Sequence, residues 1–148
     1  MTRTIATLAS LLAAFAGCGS PQVGGLAPDA GSGASPGRAA KYSAIAGTIF
    51  AVSCATSGCH TGDPPVRAPD SFDTALAYDL VGKPSLQVSA MPIIDPGNPG
   101  NSYLVSKLRG TAATVGGVAT RMPLNGPPLP GDDIADIESW IHAGAPND

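Results

Sequence analysis

The chain has 148 residues, room for one domain of ordinary size plus a tail. Only 13% of residues are charged and the formal charge is −3, so there is no basic surface of the kind nucleic acid requires. Nineteen glycines and fifteen prolines beside 5% aromatics argue against a continuous sheet or a long bundle and for a small, loop-rich fold.

Residues 1–17 read as a targeting segment. Arg3 gives a short positive region, and Ile5 to Ala16 is apolar but too short to span a bilayer. The segment ends in Phe15-Ala16-Gly17-Cys18, which resembles a bacterial lipobox, although that pattern prefers Leu where Phe15 stands. The resemblance implies cleavage before Cys18, lipid on Cys18 and a domain outside the cytoplasm, held to a bacterial membrane through its N-terminal lipid only. The alternative is an ordinary signal peptide with a chance cysteine. Residues 18–40 are rich in Gly, Ser, Pro and Ala and read as a lipidated N-terminus followed by a flexible linker.

The folded domain is expected over residues 41–148. Tyr42, Ile45, Ile49 and Val52 fall at helical spacing, with Ala46 and Phe50 beside them. A second helix is predicted over Ser71 to Val81, where Phe72, Ala75, Leu76 and Leu80 recur and Gly82 can end it. A third fits Asn101 to Leu108, stopped by Gly110. The last begins with Asp132 or Asp133 as cap, presents Ile134, Ile137, Trp140 and Ile141 on one face, and closes at Gly144 and Pro146. No strong period-2 run interrupts them, so the expected fold class is all-α.

The first helix runs into Cys54-Ala55-Thr56-Ser57-Gly58-Cys59-His60. Two cysteines followed at once by a histidine suit haem attachment. Each sulfur can form a thioether to a haem vinyl group, and the histidine can ligate the iron. A thioether sulfur on the opposite axial position favours the reduced state. The candidates for it are Met122, in Arg121-Met122-Pro123-Leu124-Asn125-Gly126-Pro127-Pro128, and Met91, in Ala90-Met91-Pro92-Ile93-Ile94. Met122 is the expected ligand because its irregular loop can carry a side chain across a haem face; Met91 is the alternative distal residue. For either, the competing role is a gap-filling core methionine.

From about residue 41 onward the chain resembles a class I cytochrome c domain of the bacterial extracytoplasmic type. N-terminal helix, cysteines and histidine, intermediate helices, Met-Pro loop and Trp-bearing terminal helix follow in that family's order. Phe50 lies four residues before Cys54 and Ala46 four before that, the positions where the family carries an aromatic and a small residue. Asp95 to Leu104 and Trp140 to Pro146 also resemble recurring segments of such domains. The resemblance implies a cytochrome c-like fold of about four helices around one haem, with crossing N- and C-terminal helices. It also implies one covalently attached haem c, bound by Cys54, Cys59, His60 and Met122, and redox protein partners.

The chain departs from the family in its cysteine spacing, four residues instead of two. The adjacency of Cys59 and His60 is kept, and Thr56, Ser57 and Gly58 are small enough to bulge out. Multihaem cytochromes include this spacing. The alternatives are a Cys54–Cys59 disulfide in a haem-free structural or binding lipoprotein, a zinc site, and a haem enzyme or ligand sensor with an open distal position. His142 reads as a surface residue at a helix C-terminus, and Asp132, Asp133, Asp136 and Glu138 as cap and solvated face. No nucleophile stands beside a base, so no catalytic residue is expected. The function expected from the whole is single-electron transfer by a tethered, extracytoplasmic carrier.

Overall fold

Tyr42, Ile45, Ala46, Ile49 and Phe50 recur three and four residues apart. All five are buried in the computed structural model, which describes residues 41–62, 71–73 and 76–148. The targeting segment, Cys18 and the linker fall outside the described residues. The expected first helix forms, but in two parts. A short helix α1 (Tyr42–Ile45) passes directly into a π-helical segment, Ala46–Cys54, whose bonds span five residues, as in Ala55 N–H to the Phe50 carbonyl at 2.8 Å. Thr48 Oγ1 donates to the Ala44 carbonyl at 2.8 Å, a back-bond that competes with regular α-helical pairing. The wider turn carries Val52 off the buried face: it is 66% exposed, where α-helical spacing predicted it inside.

The helix predicted over Ser71 to Val81 does not form as a unit. Phe72 N–H donates to the His60 carbonyl at 2.9 Å and Asp73 N–H to Ser71 Oγ at 3.4 Å, so these amides pair outside any helix. Residues 74–75 lie outside the described residues. Among the described residues of this span, Ala77–Leu80 winds as a 3-10 turn, and Gly82 follows with φ +74°. Phe72 and Leu80 reach the core nonetheless, which meets the demand of their apolar character without an α-helix.

The third and fourth predicted helices are present with shifted ends. Pro99–Asn101 forms a 3-10 turn before α2 (Tyr103–Arg109), and Gly110 ends α2 at φ +74°. The first amides of α2 are met by backbone, Tyr103 N–H by the Pro92 carbonyl and Leu104 N–H by that of Ile93, both at 3.0 Å. Helix α3 (Gly131–His142) starts two or three residues earlier than expected, with Pro130 in the cap position. Asp132 and Asp133 therefore sit in the first turn rather than at the cap, where both oppose the helix dipole favourably.

Among the described residues the fold is helical and holds no strand, only isolated bridges from Val81 to Ile94 and from Pro84 to Pro92. The main core joins the first helix, the turn at Ala77–Leu80, α2 and α3. Trp140 is its hub: fully buried, with ring centroids 5.6 Å from Tyr42 and 6.5 Å from Phe50. Its Nε1–H donates to the Pro146 carbonyl at 2.9 Å, and Tyr42 N–H donates to Asp148 Oδ1 at 2.8 Å, so the C-terminal tail is folded back over the start of α1. No helix among the described residues is long and apolar enough to cross a membrane.

Candidate functional site

The segment that carries the cysteines is a tight loop closed on itself. Cys59 N–H donates to the Thr56 carbonyl at 2.9 Å and His60 N–H to the Cys54 carbonyl at 3.2 Å. Gly58 takes φ +79°, a conformation that side-chain-bearing residues rarely adopt, and this lets the four intervening residues turn within one loop. Cys54 and Cys59 are both part-buried free thiols. Burial pushes the Cys54 thiol up to about 12, and the neighbouring Cys59 adds to the rise.

His60 is held from the other side by the Ser71–Asp73 strap. Phe72 bonds to its carbonyl and turns its ring edge-on to the imidazole, centroid to centroid 5.4 Å. Asp73 Oδ2 accepts from Gly62 N–H at 2.7 Å, which ties the strap to the loop a second time. Phe50 meets Phe72 at 5.1 Å, so an aromatic chain runs from Trp140 through Phe50 and Phe72 to His60.

The Met122 loop reaches the same place from the far end of the chain. Met122 N–H donates to the Lys107 carbonyl at 3.0 Å, which fastens the loop to α2, and the Met122–Pro123 peptide is cis. Between the two loops lies a cavity of about 540 Å³. One part of its lining is Cys54, Cys59 and His60; another is Met122 with Pro123 and Leu124. Phe72, Ile93, Leu104 and Leu108 supply apolar surface, and Gln87, Tyr103 and Lys107 supply polar groups. That volume falls within the ~300–1,000 Å³ of ordinary cofactor and ligand sites, and an apolar lining with a few polar groups is their usual character.

The cavity thus brings together Cys54, Cys59, His60 and Met122. Met91 is elsewhere, 8% exposed in a small cluster with Tyr103 and Ala112. His142 is exposed at the end of α3 and does not line the cavity. The acids on α3 do not form a uniformly solvated face. Asp136 is only 5% exposed, and Glu138 accepts a two-pronged bond from Arg109, Nε at 2.6 Å and Nη2 at 2.8 Å. Among the described residues no three His, Cys, Asp or Glu side chains gather as a metal-ion site would require.

Sequence reasoning did not find Lys107 or Gln87. The signal for Lys107 was present: four residues after Tyr103 and between Leu104 and Leu108, it stands on the apolar stripe of α2. Gln87 sits in irregular chain and carries no comparable signal. No family model, no curated protein and no solved structure matches this chain.

Proposed function

We propose that this protein is a c-type cytochrome: an electron carrier that holds one covalently attached haem in the cavity between the Cys54–His60 loop and the Met122 loop. The observation that carries the reading is the convergence of two thiols, an imidazole and a thioether on one apolar cavity, from loops far apart in the sequence. The donors fit the group. The two thiols can each form a thioether, and an imidazole with a thioether is the pair that holds iron in cytochromes c, whereas a closed zinc site needs four ligands of the Cys/His/carboxylate kind. When bound, haem supplies a one-electron couple at its iron.

The chain's own residues then divide the work. Cys54 and Cys59 would tether the porphyrin, His60 and Met122 would hold its iron, and Phe72 with Ile93, Leu104 and Leu108 would exclude water from the ring. That the cavity offers the iron both an imidazole and a thioether favours a carrier over an enzyme. In this reading the helical domain is a cytochrome c-like fold, with the Trp140–Phe50 contact as the meeting of its first and last helices. The targeting segment and Cys18 place it outside the cytoplasm on a lipid tether. Ten acidic residues stand against six basic ones from residue 41 onward. Leu124 lines the cavity while 44% exposed. A redox partner with a basic or apolar docking face suits both features.

The test is expression with a cytochrome c maturation system, followed by the visible spectrum and the mass of the purified protein. A reduced low-spin c-type spectrum with the mass of one haem retained after denaturation is expected. High-spin haem would favour the open-site alternative. A haem-free product with Cys54 and Cys59 oxidised to a disulfide would replace this reading with the structural lipoprotein.

A further inference from the structure

Lys107 is the least expected residue in the cavity wall. It is 7% exposed on the same stripe of α2 as Leu104 and Leu108, and burial lowers the pKa of its ammonium. Holding a cation there is unfavourable unless its donors are used. They are: Nζ donates to the Val118 carbonyl at 3.1 Å and to the Thr120 carbonyl. The backbone of the same residue accepts Met122 N–H at 3.0 Å. One residue of α2 therefore holds the chain at positions 118, 120 and 122, the stretch that leads into the Met122 loop.

We propose that Lys107 is a positioning residue for Met122, clamping residues 118–122 against α2 so that the thioether is presented to the cavity. The inference rests on Met122 being the distal ligand. Its physical content is preorganisation: a loop held by charged-donor hydrogen bonds keeps the sulfur in place, and an incoming ligand must pull the sulfur away against that hold. A Lys107→Met substitution keeps the length and apolar stem but removes the donors. The backbone bond to Met122 remains, so the loop is loosened without being cut free.

The test is imidazole titration of the ferric, haem-loaded protein in four forms: wild type, Lys107→Met, Met122→Ala and the double variant. Lys107→Met is expected to raise imidazole affinity about 10- to 100-fold, as loss of one or two charge-assisted bonds implies. In the Met122→Ala background the same change should alter affinity less than about twofold, because no sulfur is left to compete. An equal effect in both backgrounds would mean a general structural role and overturn the proposal; so would no effect in either. Hydrogen exchange across residues 118–122 should quicken in Lys107→Met, and unchanged protection there refutes the clamp independently of haem. If Lys107→Met does not accumulate, Lys107→Gln, which retains a neutral donor, should give the same pattern at smaller size. Failure of the haem reading looks different: the protein then carries no haem to titrate, and hydrogen exchange alone reads the clamp. A Met122→Ala protein with the spectrum and imidazole affinity of the wild type instead overturns the proposal by removing Met122 as ligand.

Discussion

Replacing Met122 and Met91 by alanine, one at a time, should produce opposite results in two assays. Met91 is 8% exposed, packed with Tyr103 and Ala112, and does not itself line the cavity. Truncating a buried methionine costs about 2–5 kcal/mol, and the small size of this cluster favours the lower half of that range. Met122 is part-exposed and lines the cavity, so its packing alone contributes roughly 1 kcal/mol, by the transfer energy of a half-buried side chain. A domain of this size has on the order of 5–15 kcal/mol in hand, so both variants fold. Urea titration followed by circular dichroism measures both stability losses, and the sulfur-to-iron charge-transfer band of the ferric, haem-loaded protein reports which sulfur is the ligand. Met91→Ala should lower the urea midpoint and keep the band. Met122→Ala should lose the band, and any stability loss beyond about 1 kcal/mol is then the iron–sulfur bond itself. Loss of the band in Met91→Ala, with retention in Met122→Ala, would refute the assignment.

Ser102 is fully buried, accepts Asp95 N–H at 2.9 Å and donates to the Asn98 carbonyl at 3.1 Å; Ser102→Ala leaves both without their partner and should cost about 1–3 kcal/mol in the same urea assay. A side chain at Gly117 would overlap the Tyr103 ring, with the Cβ 2.8 Å from Cε2, so Gly117→Ala should cost about 1–3 kcal/mol as overpacking, seen in thermal melts. The Arg109–Glu138 pair is partly exposed, so Arg109→Met should cost less than about 1 kcal/mol, a difference that shrinks on adding salt. In protein made without haem, the raised Cys54 pKa leaves its thiol protonated at pH 8, with about a thousandfold less thiolate than an ordinary cysteine. Iodoacetamide should therefore modify Cys59 ahead of Cys54. The same proton makes that form lose stability as pH climbs from about 9 towards 12, because the folded state holds it longer than the unfolded chain does.

Much of the fold could be read from periodicity. The face of α3 formed by Ile134, Ile137, Trp140 and Ile141 is buried as its spacing requires, and Gly110 and Gly82 take the positive φ that ends a helix or turn. The failures have specific causes. Val52 obeys α-helical spacing and lies outside because the segment winds as a π-helix, a change set by where its amides pair and not by its apolar pattern. Phe72 obeys helical spacing and sits instead in irregular chain, where its amide is taken by the His60 carbonyl. The cap expected of Asp132 or Asp133 moved to Pro130, since a helix start is decided by the chain that leads into it.

By itself the sequence determined which atoms the chain can offer: two thiols and an imidazole in one short loop, a thioether before a proline, and helices whose apolar faces must pack. These follow from residue type and local spacing, which need no knowledge of the rest of the chain. That Met122, which the sequence already favoured, lines the same cavity as His60 while Met91 packs in a separate cluster was visible only in the tertiary structure. So was the use of Lys107 to hold the loop that carries it. Both depend on contacts between segments far apart in sequence, and the packing of α2 between two loops sets those contacts.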